Sequence, residues 1–226
     1  IVEKAGEIIP QVVDVVTSLR DRSQVQIDPP IECPTCSGVV EQEGPKLFCI
    51  NPECPAQFRE KVKWFAGRGQ MDIDGLGDKV VDQLIDAELV HHFADLYTLA
   101  VEDLLPLDGF AKKSAEALIA AIDSSKSQGL IRVLSSVGIR LIGRATAKTI
   151  VATYPSMESL RDASIEELVQ LQEFGQITAE VLHAAIHSDH GRELFGRLSE
   201  VGVLLKATVS IVHDSVFSGK VVVVTG

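Results

Sequence analysis

Hydrophobic and polar positions along the chain fall into three regimes. Residues 1–20, "IVEKAGEIIPQVVDVVTSLR", are dense in Val and Ile, with Gly6 and Pro10 as punctuation. Such short β-branched runs between turn formers predict strands, the closing strands of a β domain. Residues 31–58 hold few apolar positions and predict a small ribbon. "REKVKWFAGRG" predicts a short helix ending near Gly67. From residue 71 a repeat takes over. "IDGLGDKVVDQLI", "LDGFAKKSAEALI", "IRLIGRATAKTIV" and "LQEFGQITAEVLH" align on a small fifth residue: Gly77, Ala111, Gly143 and Gly175. The steps between these anchors are 34, 32 and 32 residues. Four positions before the anchor stand Ile73, Leu107, Ile139 and Leu171, and one before it Leu76, Phe110, Ile142 and Phe174. Four after it come Val81, Ala115, Ala147 and Ala179, and seven after it Leu84, Leu118, Ile150 and Leu182. Offsets of 0, 4 and 7 share one helical face, so each anchor opens a helix. The apolar residues ahead of it pin a tight turn from a preceding helix.

That pattern is the helix-hairpin-helix. Small residues let the backbone approach a ligand closely, and the free N–H groups at the following helix N-terminus bind a phosphate oxygen. Binding of this kind reads backbone rather than bases. A helical repeat that only packs, or that binds protein, is the alternative; four copies in register favour nucleic acid. The copies differ. The first has Gly75 and Gly77 among Asp72, Asp74 and Asp78. The second has Gly109 and Ala111 followed by Lys112 and Lys113. The third replaces the first glycine by Leu141, but has Gly143 with Arg140, Arg144 and Lys148 around it. The fourth has Glu173 there, a poor neighbour for phosphate. The second and third hairpins are therefore the expected main DNA contacts.

All four cysteines, Cys33, Cys36, Cys49 and Cys54, lie within 22 positions. Two disulfides there would leave the rest of the chain unstapled, and a redox pair would leave the second pair idle. Cys-x2-Cys and Cys-x4-Cys pairs joined by a short hairpin can instead meet as four thiolates around one ion. Zinc favours that closed tetrahedral cage, so a structural zinc is expected. Pro34, Ser37 and Gly38 on one side and Asn51 and Pro52 on the other suit two sharp knuckles.

The chain is 46% hydrophobic but only 5% aromatic, which predicts an aliphatic, helix-prone core. No run of eighteen apolar residues exists, so no membrane partner is expected. The four clustered thiols suggest a reducing compartment. A net charge of −11 argues against nucleic acid for the chain as a whole, but the charge is unevenly spread. Residues 124–155 hold Lys126, Arg132, Arg140, Arg144 and Lys148 and no acid, between acidic flanks. A positive face is expected there. His91 and His92 read as a helix-end or surface pair rather than as metal ligands. Trp64 and Phe65 are expected to pack the ribbon onto the first hairpins.

The ordered set of features resembles the C-terminal part of the bacterial NAD-dependent DNA ligases. "KAGEIIPQVV" resembles that family's closing oligonucleotide-binding (OB) strand, "CPAQ" and "DIDGLG" match its finger and first hairpin, and "FSGKVVVVTG" resembles the first strand of its BRCT domain. The resemblance implies a mainly α fold, four tandem helix-hairpin-helix motifs preceded by a small β zinc ribbon and the end of an OB domain. Its divisions are 1–30 (OB strands and linker), 31–58 (zinc ribbon), 59–200 (hairpins) and 201–226 (linker and first BRCT strand). It implies a fragment of a longer protein that seals nicks, with NAD and Mg as the parent's cofactors. An adenylation domain in the same parent chain and nicked double-stranded DNA are the implied partners, in the bacterial cytoplasm at the nucleoid. The family's adenylated lysine sits in Lys-x-Asp-Gly, which is absent here, so this stretch is expected to bind DNA and catalyse nothing. The rival is a non-catalytic helix-hairpin-helix module of a repair or recombination protein.

Overall fold

A computed structural model describes residues 1–208 except positions 7, 22, 52 and 53. The stretch read as a BRCT strand, 217–226, lies outside the described residues. The chain forms two compact units, dividing between Cys54 and Pro55 rather than after residue 58.

The first unit contains two antiparallel hairpins. β1 (Val2–Ala5) pairs with β2 (Ile9–Val12), Val2 facing Val12. β3 (Val40–Glu43) pairs with β4 (Lys46–Cys49), Val40 facing Cys49. The Val/Ile run thus forms strands, as its composition predicts. Ile9, Val12 and Val13 nevertheless stand exposed. Among the described residues of this unit only Cys33 and Cys54 are buried apolar side chains. It has no apolar core, and hydrophobic burial does not hold it together.

The second unit is helical. α1 (Pro55–Ala66) opens on a proline, which is pre-set for a first helical turn. α2 (Asp78–Asp86), α3 (Val101–Leu104), α4 (Lys112–Ser125), α5 (Leu130–Ser136) and α6 (Arg144–Thr153) follow, then α7 (Met157–Arg161), α8 (Ile165–Val169), α9 (Gln176–His187) and α10 (Asp189–Glu200). The pairs α1–α2, α3–α4, α5–α6 and α8–α9 each flank one repeat turn. Each repeat sends the same positions inward. Val81, Ala115, Ala147 and Ala179 are fully buried, as are Ile150 and Leu182, with Leu84 and Leu118 nearly so. One continuous aliphatic core results.

Residues 201–207 are folded onto this unit. Lys206 pairs in a β-bridge with Ser156, its carbonyl accepts from the Leu130 N–H, and Ala207 donates to the Pro155 carbonyl. Phe65 packs on Phe93 at 4.7 Å, inside the helical core. Trp64 is largely exposed, and its indole N–H donates to the Ser135 carbonyl at 3.2 Å. Both tryptophan and phenylalanine therefore serve contacts within the helical unit. No helix of the described residues is long and apolar enough to cross a membrane.

His92 is a helix-end residue, as read from the sequence. Its Nδ1 accepts from the Ala94 N–H at the start of the 3-10 helix Phe93–Thr98. The ring must keep that nitrogen unprotonated to do so. Burial, and then the nearby Arg197, push its pKa below the usual histidine value. A depressed folded-state pKa contributes stability that is complete above the unfolded value of about 6.5 and is lost as pH falls below it. Thermal melts are expected to lose stability from pH 7 toward 5. In His92→Asn, which still caps, that part of the slope should vanish; an unchanged slope would exclude His92 as its source.

Candidate nucleic-acid interface and metal centre

The four hairpins share one backbone design. In each, the residue before the anchor donates its N–H to the carbonyl four positions before the anchor: Leu76 to Ile73, Phe110 to Leu107, Ile142 to Ile139 and Phe174 to Leu171, at 3.1–3.2 Å. Each is a tight turn whose third residue has positive φ: Gly75 (82°), Gly109 (84°), Leu141 (67°) and Glu173 (65°). Glycine suits that position because it has no Cβ to clash. The chain then straightens, and the anchor caps the next helix in extended conformation, with ψ of 172° at Gly77, 166° at Ala111, −176° at Gly143 and 169° at Gly175. Any residue adopts such a backbone. Nor does crowding demand glycine: a Cβ built on Gly77, Gly143 or Gly175 would meet nothing within 4 Å. Neither backbone angle nor packing within the described fold accounts for glycine at these anchors.

The helix starts differ in what is left open. The first N–H groups of a helix have no intrahelical partner. At the second hairpin the Ser114 hydroxyl already accepts from the Ala111 N–H at 3.0 Å. In the first hairpin the Asp74 carboxylate takes the Gly75 N–H at 3.1 Å, but that group lies in the turn, two residues ahead of the cap. No side chain caps the first, third or fourth helix start. Around the third, Arg140, Arg144 and Lys148 are exposed. Around the fourth stand Glu173 and Glu180, the latter accepting from Gln176 at 2.7 Å. Lys112 and Lys113 are exposed at the second hairpin, with Glu116 3.9 Å from Lys112.

The basic window is thinner than its sequence suggests. Lys126 pairs with Asp123 at 2.8 Å. The Arg132 guanidinium donates to the carbonyls of Arg68 and Gln70. Both ions serve the fold. Arg144 also donates to the Gly69 carbonyl at 3.1 Å while remaining exposed. Arg132 and Arg144 thus tie the loop entering the first hairpin to the third. Lys79 and Asp108, 3.1 Å apart, link the first hairpin to the second. None of these ties has a periodic signature, so the sequence did not disclose them.

The cysteines do converge. All four Sγ atoms lie within 4.8 Å of one another, with Cys36–Cys49 at 3.5 Å and Cys33–Cys54 at 3.9 Å. Sulfurs 2.3 Å from a common tetrahedral centre would stand about 3.8 Å apart, so the cage fits one metal ion. The knuckle is built by the Cys33 N–H donating to the Gly38 carbonyl and the Ser37 N–H to the Cys33 carbonyl, both at 2.8 Å. A side chain on Gly38 would bring its Cβ 2.9 Å from the Asn51 Cβ and 3.2 Å from the Cys36 Sγ, so only glycine closes this turn. The Asn51 side chain and the Gly38 N–H pull the Cys36 pKa down to about 6. The N–H groups of Thr35 and Cys36 lower that of Cys33. The Asn51 N–H favours the Cys49 thiolate, but burial and the other sulfurs outweigh it and push Cys49 up to about 12. Four clustered thiolates need a cation to coexist.

Residues 71–124 match the SAM-like helix-hairpin-helix tandem family and residues 132–195 the helix-hairpin-helix motif family. Along its whole length the chain is 42% identical to the DNA ligases of Lysinibacillus sphaericus (strain C3-41) and Bacillus subtilis (strain 168), and 40% identical to that of Myxococcus xanthus (strain DK1622). The chain resembles bacterial DNA ligases throughout its length. It spans 34–35% of the length of these relatives and fits a C-terminal portion of a ligase. Within this chain the two family matches divide the hairpins into a first and second, and a third and fourth. The interval between them contains the 3-10 turn Lys126–Gln128.

Proposed function

We propose that this chain is the DNA-holding part of an NAD-dependent ligase that seals nicks, binding nicked duplex through the phosphate backbone. The observation that carries the reading is the set of repeated glycine anchors that neither backbone angle nor internal packing requires. Close approach of a phosphate to the helix N–H groups supplies the missing reason. Gly75, Gly77, Gly109, Ala111 and Gly143 line that approach, and Lys112, Lys113, Arg140, Arg144 and Lys148 supply charge. The third hairpin leads, because Arg140, Arg144 and Lys148 stand exposed around its helix start. The second contributes its lysines more than its Ala111 N–H, which Ser114 occupies. Cys33, Cys36, Cys49 and Cys54 hold zinc, a structural ion in a cage that leaves no open position. β1 and β2 are the end of an OB fold, and 217–226 begins a BRCT domain. NAD and Mg act in the adenylation domain, which supplies the lysine this stretch lacks. The working location is the nucleoid. The rival, a module of a repair or recombination protein, shares the hairpins but does not account for similarity to ligases along the whole chain.

Titrating a fluorescent nicked duplex with the chain tests this. Binding is expected, and Gly143→Val should weaken it about tenfold or more by blocking a charge-assisted contact, with folding intact because a Cβ at this position meets nothing within 4 Å. Glu173→Ala should leave binding unchanged or slightly tighter. A chain that ignores duplex DNA would refute the proposal.

A further inference from the structure

The third hairpin carries an anomaly that phosphate binding does not explain. Leu141 takes the positive-φ turn position, at 67°, where the first two hairpins have glycine. A γ-branched side chain pays steric strain there, because its Cβ crowds the carbonyl. Its side chain does not recover that strain by burial: 49% of its surface is open. Its immediate neighbours differ sharply from it. Ile142 is buried in the core, while Arg140, Gly143 and Arg144 are exposed around it. An apolar group is therefore held at the turn tip, against its conformational preference, between exposed cations and an open helix cap. Glu173 keeps the same strain at 65° with a charged side chain that water satisfies, whereas at Leu141 the exposed group is apolar and sits among cations, and that combination points to a contact made outside the fold.

Resting on the DNA-binding reading above, we infer that Leu141 is an apolar DNA-contact residue, packing on deoxyribose and base edges in the minor groove beside the phosphate that the Gly143 cap holds. Sugars present the same apolar surface at every step, so the contact suits backbone reading. Proteins that enter the minor groove commonly bring apolar wedges with them, and a nick lowers the unstacking penalty such a wedge meets. The contact is distinct in kind from those of Arg140 and Lys148. An arginine on a phosphate releases a counterion and steepens the salt dependence, whereas a leucine on a sugar releases none.

Three variants of the chain separate this from a structural role. Leu141→Asn keeps a residue that tolerates the left-handed turn but removes the apolar group. Leu141→Gly relieves the strain, and Glu173→Gly does the same in the fourth hairpin. Thermal melting and anisotropy with nicked and intact duplex, at several salt concentrations, are the readouts. Both glycine variants should melt a few degrees higher. Leu141→Asn and Leu141→Gly should each bind nicked duplex about fivefold more weakly at every salt concentration, with the slope against log salt unchanged. Their preference for nicked over intact duplex should shrink, while Glu173→Gly binds at least as well as the original. Unchanged affinity in both Leu141 variants would overturn the inference and leave the DNA reading standing. So would a loss of slope, which would mean that the leucine acts only through its cationic neighbours. If the unaltered chain fails to bind either duplex, the DNA reading itself falls.

Discussion

Cys49→Ser, or removal of metal by a strong chelator, will unfold residues 31–54 and leave the helical unit's melting transition in place. The expectation follows from what holds each unit together. Among its described residues the first unit buries only Cys33 and Cys54 as apolar side chains, so it has almost no hydrophobic term to fall back on. A structural zinc in a small finger contributes on the order of 10 kcal/mol of folding energy, far beyond anything a four-residue hairpin such as β3–β4 supplies. The helical unit has its own continuous core. Far-UV circular dichroism should keep its helical signal, while amide exchange in 31–54 becomes fast. One zinc per chain is expected by metal analysis. Thiols found paired as disulfides, with no metal, would refute this part of the account. Acid should release the ion as well, since protons compete for the same thiolates.

Replacing Arg140 and Arg144 together by alanine will flatten the salt dependence of duplex binding by up to about two units, because each neutralised phosphate adds about 0.9 to the slope. The two residues are not equivalent. Arg144 also donates to the Gly69 carbonyl, so its loss additionally loosens the tie between the third hairpin and the loop entering the first. Arg140→Ala and Lys148→Ala alone should each remove about one unit. Arg132→Gln should behave differently: it loses the bonds to Arg68 and Gln70, lowers thermal stability, and leaves the slope nearly intact. Equal slopes for the double variant and the original would move the contact face away from the third hairpin.

The repeat was legible because its physics is periodic. Core offsets from the anchors set four buried helix faces, and every one of Val81, Ala115, Ala147 and Ala179 lies inside. The convergence of the four thiols was legible because four cysteines in 22 positions have few other uses. What the sequence did not yield depends on distant partners. Charge counting cannot see that Arg132 is spent on backbone carbonyls 62 and 64 residues away, or that Lys126 pairs with Asp123. Nor does a hydropathy pattern reveal that Ser114 occupies the Ala111 N–H. The one sequence sign of the Leu141 anomaly was a leucine where the first two copies have glycine. Its weight emerged only with the 67° φ and the open side chain. Residues 201–207 fall in the stretch 201–226 that the family resemblance assigns to a linker and the first BRCT strand, and their order comes from carbonyls and N–H groups contributed by Lys126, Leu130 and Pro155.

The proposed grip of this chain on DNA holds phosphates and does not read bases. Binding of the chain to two nicked duplexes of equal length and unrelated sequence, measured from low to moderate salt, tests it most directly. Log affinity should fall linearly with log salt along the same line for both, with a slope equivalent to several phosphates. Binding that ignores salt, or that differs tenfold or more between the two sequences, would contradict it.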